Sequence, residues 1–88
     1  MVSVSYWQKL TAEEQDEFKK VSSKFIQAVQ SSDAYDGYDF FNKYHVQTRN
    51  GVYFLAKEGS DEPFAGIVSQ SKRLIETLQA DAGQNYGR

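Results

Sequence analysis

The segment from Thr11 to Ser31 constrains this chain more than any other. Phe18, Val21, Phe25, Ile26 and Val29 recur at i, i+3, i+4 spacing, which puts them on one stripe of a helix that must be buried against something. Thr11 followed by Glu14 forms a capping box, in which the hydroxyl serves an orphan amide and the carboxylate reaches back to the cap. Glu13, Glu14, Asp16 and Glu17 fill the first turns and Lys19, Lys20 and Lys24 come later, an order that suits the helix dipole. The pattern predicts a helix over 12–31.

What that helix packs on must come from a short chain. With 88 residues there is room for one hydrophobic core, expected over 1–83, with 84–88 read as a flexible tail. A domain of this size buries only about 60 to 65 % of the surface its unfolded chain exposes, so homo-oligomerisation stays open as a source of stability. There is no Cys, which removes disulfides and thiolate zinc sites. Hydrophobic residues make up 40 % and charged residues 25 %, a globular rather than a disordered composition. A net charge of −2 argues against a protein driven by phosphate neutralisation. No cationic leader with a long apolar run opens the chain, and no run of about 18 apolar residues occurs, so a cytoplasmic, non-membrane location is expected.

Outside the first helix the signals are shorter. Val2, Val4 and Tyr6 alternate with Ser3 and Ser5, the period of a brief strand. Residues 31–44 mix turn formers with five aromatics, Tyr35, Tyr38, Phe40, Phe41 and Tyr44, and fit an aromatic-rich turn or short helix. Asn50-Gly51 tolerates the positive φ angles of a tight turn, and the apolar runs on either side predict a hairpin at 45–57. After Gly59 two readings compete. The favoured one is a single long helix capped by Ser60 and stopped by Gly83, carrying Phe64, Ile67, Leu74, Ile75 and Leu78 on one side. Its rival makes 64–68 a third strand and starts the helix after Ser69 or Ser71, because Gly66 and the β-branched pair Ile67-Val68 suit a helix poorly.

Reactive groups are scarce. His45 is the only imidazole, and no Gly-x-Ser-x-Gly elbow accompanies it, so nucleophilic catalysis has no ready constellation. Asp33, Asp36 and Asp39 recur every third residue but sit among turn formers, lack the alternation of an EF-hand loop, and read as turn and capping aspartates. No phosphate-binding glycine loop occurs, and a lone His cannot build a zinc site. No cofactor, metal site or catalytic residue is expected.

The third-strand reading gives an α-β-β-β-α order similar to that of double-stranded-RNA-binding domains. Ser71-Lys72-Arg73 resembles the start of the basic cluster with which that family grips phosphates, which would make Lys72 and Arg73 nucleic-acid contacts. Glu76 stands where a further basic residue is wanted, and the acidic balance opposes nucleic acid as a partner.

The expected architecture is α+β: an amphipathic N-terminal helix, the aromatic-rich turn, a β-hairpin with a third strand as the rival, and a C-terminal helix on a small antiparallel sheet. Its core is expected from Phe18, Val21, Phe25, Val29, Phe41, Phe54, Ile67, Leu74, Ile75 and Leu78. The expected function is a non-enzymatic protein-interaction module, an accessory regulator, inhibitor or oligomerising adaptor. It would meet a basic protein surface through a patch of Tyr35, Asp36, Tyr38, Asp39 and Tyr44. A small-ligand site between subunits is a further alternative.

Overall fold

The computed structural model describes residues 7–32, 40 and 42–85, and the expected strand at 2–6 lies outside them, as does Phe41. Helix α1 spans Ala12–Ser31. Thr11 caps it as the spacing predicts: its hydroxyl accepts from the Glu14 amide at 3.2 Å while its own amide donates to the Glu14 carboxylate at 2.7 Å. Strands β1 (Tyr44–Arg49) and β2 (Val52–Lys57) form the hairpin around Asn50 and Gly51, whose φ angles of 56° and 81° are those of a primed two-residue turn. Strand β3 is the pair Val68–Ser69, and helix α2 is Lys72–Asn85. The sheet is antiparallel in the order β1-β2-β3.

The single long helix after Gly59 is therefore corrected: a third strand and a helix that starts after Ser71 are present, as the rival has it, but the strand is Val68–Ser69 and not 64–68. Pro63 and a one-turn 3-10 helix at Phe64–Gly66 precede β3, and the left-handed backbone at Ala65 and Gly66, with φ of 57° and 69°, turns the chain out of any helical path. That turn lets Phe64 pack on the core, sinks Ile67 into it, and sets Val68 and Ser69 across from Phe54 and Tyr53. Ser60 caps no helix; its hydroxyl instead accepts from the Glu62 amide at 3.2 Å within the turn. At the other end Gly83 does not stop α2, which runs on through Asn85, into the stretch expected as a tail.

Residues directly opposite in the ladder share a face. Tyr44, Val46, Tyr53, Leu55 and Ser69 lie on the face that meets the helices, and His45, Gln47, Arg49, Val52, Phe54, Ala56 and Val68 lie on the other. The core joins Phe18, Phe25 and Val29 of α1 to Leu74, Ile75 and Leu78 of α2, with Tyr44, Leu55 and Ile67 between them. Phe54 is buried but outside that cluster, on the opposite face, where the Arg49 guanidinium sits 5.8 Å from its ring centroid. Val21, expected in the core, is half-buried against it, while Leu10, Phe40, Leu55 and Ala82 join it without having been expected. Among the described residues no helix is long and apolar enough to cross a membrane.

Two substitutions test this packing by urea unfolding. Phe25→Ala, which empties a 1 % exposed site, is expected to cost about 3–5 kcal/mol. Ala65→Gly relieves a left-handed conformation that disfavours any side chain, so it is expected to raise stability by about 0.5–1 kcal/mol; a loss of stability would contradict the turn geometry.

Candidate functional site

Of the residues expected to form an aromatic and acidic patch, Tyr35, Asp36, Tyr38 and Asp39 lie outside the described residues, and so does Asp33. The boundaries of their segment are defined. Before it, α1 ends at Ser31, and the capping Ser32 turns its amide and hydroxyl back to the Val29 carbonyl. After it, Phe40 is 0 % exposed and Tyr44 is 7 % exposed. Tyr44 therefore corrects the expected patch: its ring belongs to the core.

The reason is an aromatic knot. Phe40 stacks on Tyr44 at 5.0 Å between centroids and 15° between planes. Phe25 and Phe64 meet Phe40 edge-on at 5.9 and 5.8 Å, and Phe64 meets Tyr44 at 4.8 Å. Such ring pairs add about 0.5–1.5 kcal/mol beyond the area they bury. The Tyr44 backbone carbonyl accepts from the Gln79 side chain of α2 at 2.6 Å, a second tie on the same residue.

Lys72 and Arg73 are both exposed in the first turn of α2, as the RNA-binding alternative requires. Their surroundings are acidic. Ser71 caps α2 by accepting from the Leu74 amide at 3.1 Å, and its hydroxyl donates to the Glu14 carboxylate of α1. Arg73 pairs with the same carboxylate at 3.2 Å, and one turn along α1 Glu17 accepts from the Ser69 hydroxyl at 3.1 Å. The Ser69 oxygen in turn receives the Ser71 amide at 3.0 Å. The positive end of α2 is thus met by a carboxylate supplied from within the chain. Sequence reading found the capping box but missed that Glu14 serves two helices at once; Ser71 as a cap was the available signal.

The Ser71 hydroxyl, the Thr11 amide and the Arg73 guanidinium together hold the Glu14 carboxyl below its ordinary range, against the opposing effect of burial. His45 is exposed, with Nε2 at 3.2 Å from the Asn42 carbonyl, and among the described residues it meets no carboxylate or hydroxyl that would make it a base. Among the described residues no group of three or more His, Asp or Glu side chains could hold a metal ion, and every buried side-chain nitrogen or oxygen has a partner.

Because the Glu14 carboxyl is depressed in the folded state, its contribution is complete above the ordinary carboxylate range and is lost as pH falls through the folded value. The thermal midpoint of the wild type is expected to drop below about pH 5, and Glu14→Gln is expected to be less stable at neutral pH and to lose less on acidification. Ser71→Ala is expected to cost about 1–2 kcal/mol at pH 7. Parallel acid profiles for wild type and Glu14→Gln would contradict the role given to this carboxylate.

No protein-family model, curated protein or solved structure matches this chain.

Proposed function

We propose that the chain is a non-enzymatic protein-interaction module, an accessory regulator, inhibitor or oligomerising adaptor, that presents Tyr35, Asp36, Tyr38 and Asp39 to a partner with a basic surface. The observation that carries this reading is the anchoring of their segment on the aromatic knot: Phe40 and Tyr44 are committed to the core directly after it, and α1 ends directly before it. The described residues on either side of this Tyr and Asp run are held by the packed scaffold, and fixed flanks reduce the ordering cost of association. Tyr supplies contact area with little rotamer entropy to lose, and the aspartates select for basic partners.

One observation favours the RNA-binding alternative, namely the α-β-β-β-α order with Lys72 and Arg73 opening the last helix. The chemistry of that helix end disfavours it. Glu14 already occupies the position at which a phosphate would be held, Arg73 is paired to it, and Glu17 stands one turn away.

The test compares tagged full-length wild type with Tyr38→Ala and with Lys72→Ala/Arg73→Ala in native-host extracts, identifying retained proteins by mass spectrometry. A partner kept by wild type and the basic-site variant, lost by Tyr38→Ala with no change in thermal midpoint, is the expected outcome. Identical retention by Tyr38→Ala would contradict the reading. So would salt-sensitive binding of duplex RNA that disappears in Lys72→Ala/Arg73→Ala.

A further inference from the structure

The two edges of the sheet are treated differently. At β3 the edge is only two residues long, and Ser69 is bound to Glu17 and to the Ser71 amide. At β1 the edge is six residues long, with an unbroken register against β2 from Tyr44 to Arg49, no bulge and no proline. The backbone groups that face β2 belong to alternate residues. The tight turn makes Arg49 and Val52 a hydrogen-bonded pair, and the Glu58 amide donates to the Lys43 carbonyl at 3.0 Å. His45 and Gln47 therefore also face β2, while Tyr44, Val46 and Thr48 turn their amides and carbonyls outward. The Gln79 side chain closes the Tyr44 carbonyl. Among the described residues the outward backbone groups of Val46 and Thr48 meet no hydrogen-bond partner.

We propose that this edge of β1 is a strand-addition site for an extended segment of another protein bearing carboxylates at alternate positions. This rests on the reading of the chain as an interaction module, but it concerns the backbone of β1 and not the side chains of the Tyr and Asp run. An added strand gains up to four main-chain hydrogen bonds at Val46 and Thr48, and its alternate side chains select the partner. The choice of occupant follows from charge. Residues 43–49 contain Lys43, His45 and Arg49 and no carboxylate. His45 and Arg49 are exposed and lie with Gln47 on the face turned away from the helices. Asp61 already shows the chemistry this face accepts, pairing with Arg49 at 2.8 Å through an exposed contact that an incoming carboxylate can replace. A second copy is disfavoured, because antiparallel self-pairing about Gln47 sets His45 against Arg49 of the copy and brings two cationic strands together.

The test uses the full chain labelled with nitrogen-15 and two short blocked peptides, Thr-Glu-Val-Glu-Val-Glu-Thr and its lysine counterpart Thr-Lys-Val-Lys-Val-Lys-Thr. In the free protein the amides of Val46 and Thr48 are expected to exchange rapidly and that of Gln47 slowly. The glutamate peptide is expected to shift and protect Val46 and Thr48, weakening with salt, while the lysine peptide leaves them unchanged. Thr48→Pro removes one outward amide and leaves the backbone bonds of the β1–β2 ladder in place, losing only the exposed bond from the Thr48 hydroxyl to the Val52 carbonyl at 3.1 Å, and is expected to weaken the glutamate peptide about fivefold to tenfold. The double variant His45→Glu/Arg49→Glu is expected to reverse the preference between peptides. Protection of Val46 and Thr48 in the free chain, whether by a second copy detected as a dimer in sedimentation or within the monomer, would overturn the proposal. Equal response to both peptides, or none, would do the same. Loss of partner capture in Tyr38→Ala reports on that side chain and not on the β1 backbone, so either reading can fail alone.

Discussion

Phe25, Phe40, Tyr44 and Phe64 come from four separate parts of the chain and meet as a cluster of rings whose centroids lie 4.8 to 5.9 Å apart. Each brings a different element to one place: α1, the approach to β1, β1 itself, and the turn before β3. In a chain of this size, where the hydrophobic core is thin, a few large rings carry a disproportionate share of the burial. The left-handed turn at Ala65 and Gly66 comes directly after Phe64, and the chain leaves helical geometry where that ring joins the cluster. Tyr44 opens the edge strand and fixes where its outward-facing backbone begins.

Electrostatics close the opposite end of the same interface. Two helices that start with different needs share one carboxylate: α1 uses Glu14 in its capping box, and α2, which begins with two cationic side chains at its positive end, borrows the same group through Ser71 and Arg73. The hydroxyl contacts are half-buried and so carry more weight than the exposed Arg73 pair, which screening reduces. A helix terminus satisfied in this way has little left to offer an external anion.

Helix α1 and the hairpin were legible from sequence because their signals are local: a capping box with a 3.6-residue stripe, and Asn-Gly between two apolar runs. Both were delimited to within a residue. The region 60–71 was not, because Phe64, Ile67, Leu74 and Leu78 keep helical spacing whether or not the backbone is helical, and the deciding partner, the Tyr53 to Phe54 edge of β2, is distant in sequence. The same non-locality hid the fate of the aromatics. Nothing local to Tyr44 marks it as a core residue, and only the meeting with Phe40 and Phe64 assigns it to the interior. The double use of Glu14 was invisible for a similar reason, since Ser71 lies 57 positions away.

The claim at the centre of this account is that the ring cluster couples the 40–44 approach to the turn at 64–66. A double-mutant cycle on Phe40→Leu and Phe64→Leu, followed in urea by the fluorescence of Trp7 and by far-ultraviolet circular dichroism, measures that coupling. An interaction energy of about 0.5–1.5 kcal/mol, with coincident transitions by the two probes, is the predicted result. Additive losses within about 0.3 kcal/mol would show that the two rings stabilise the fold independently, and would contradict the claim.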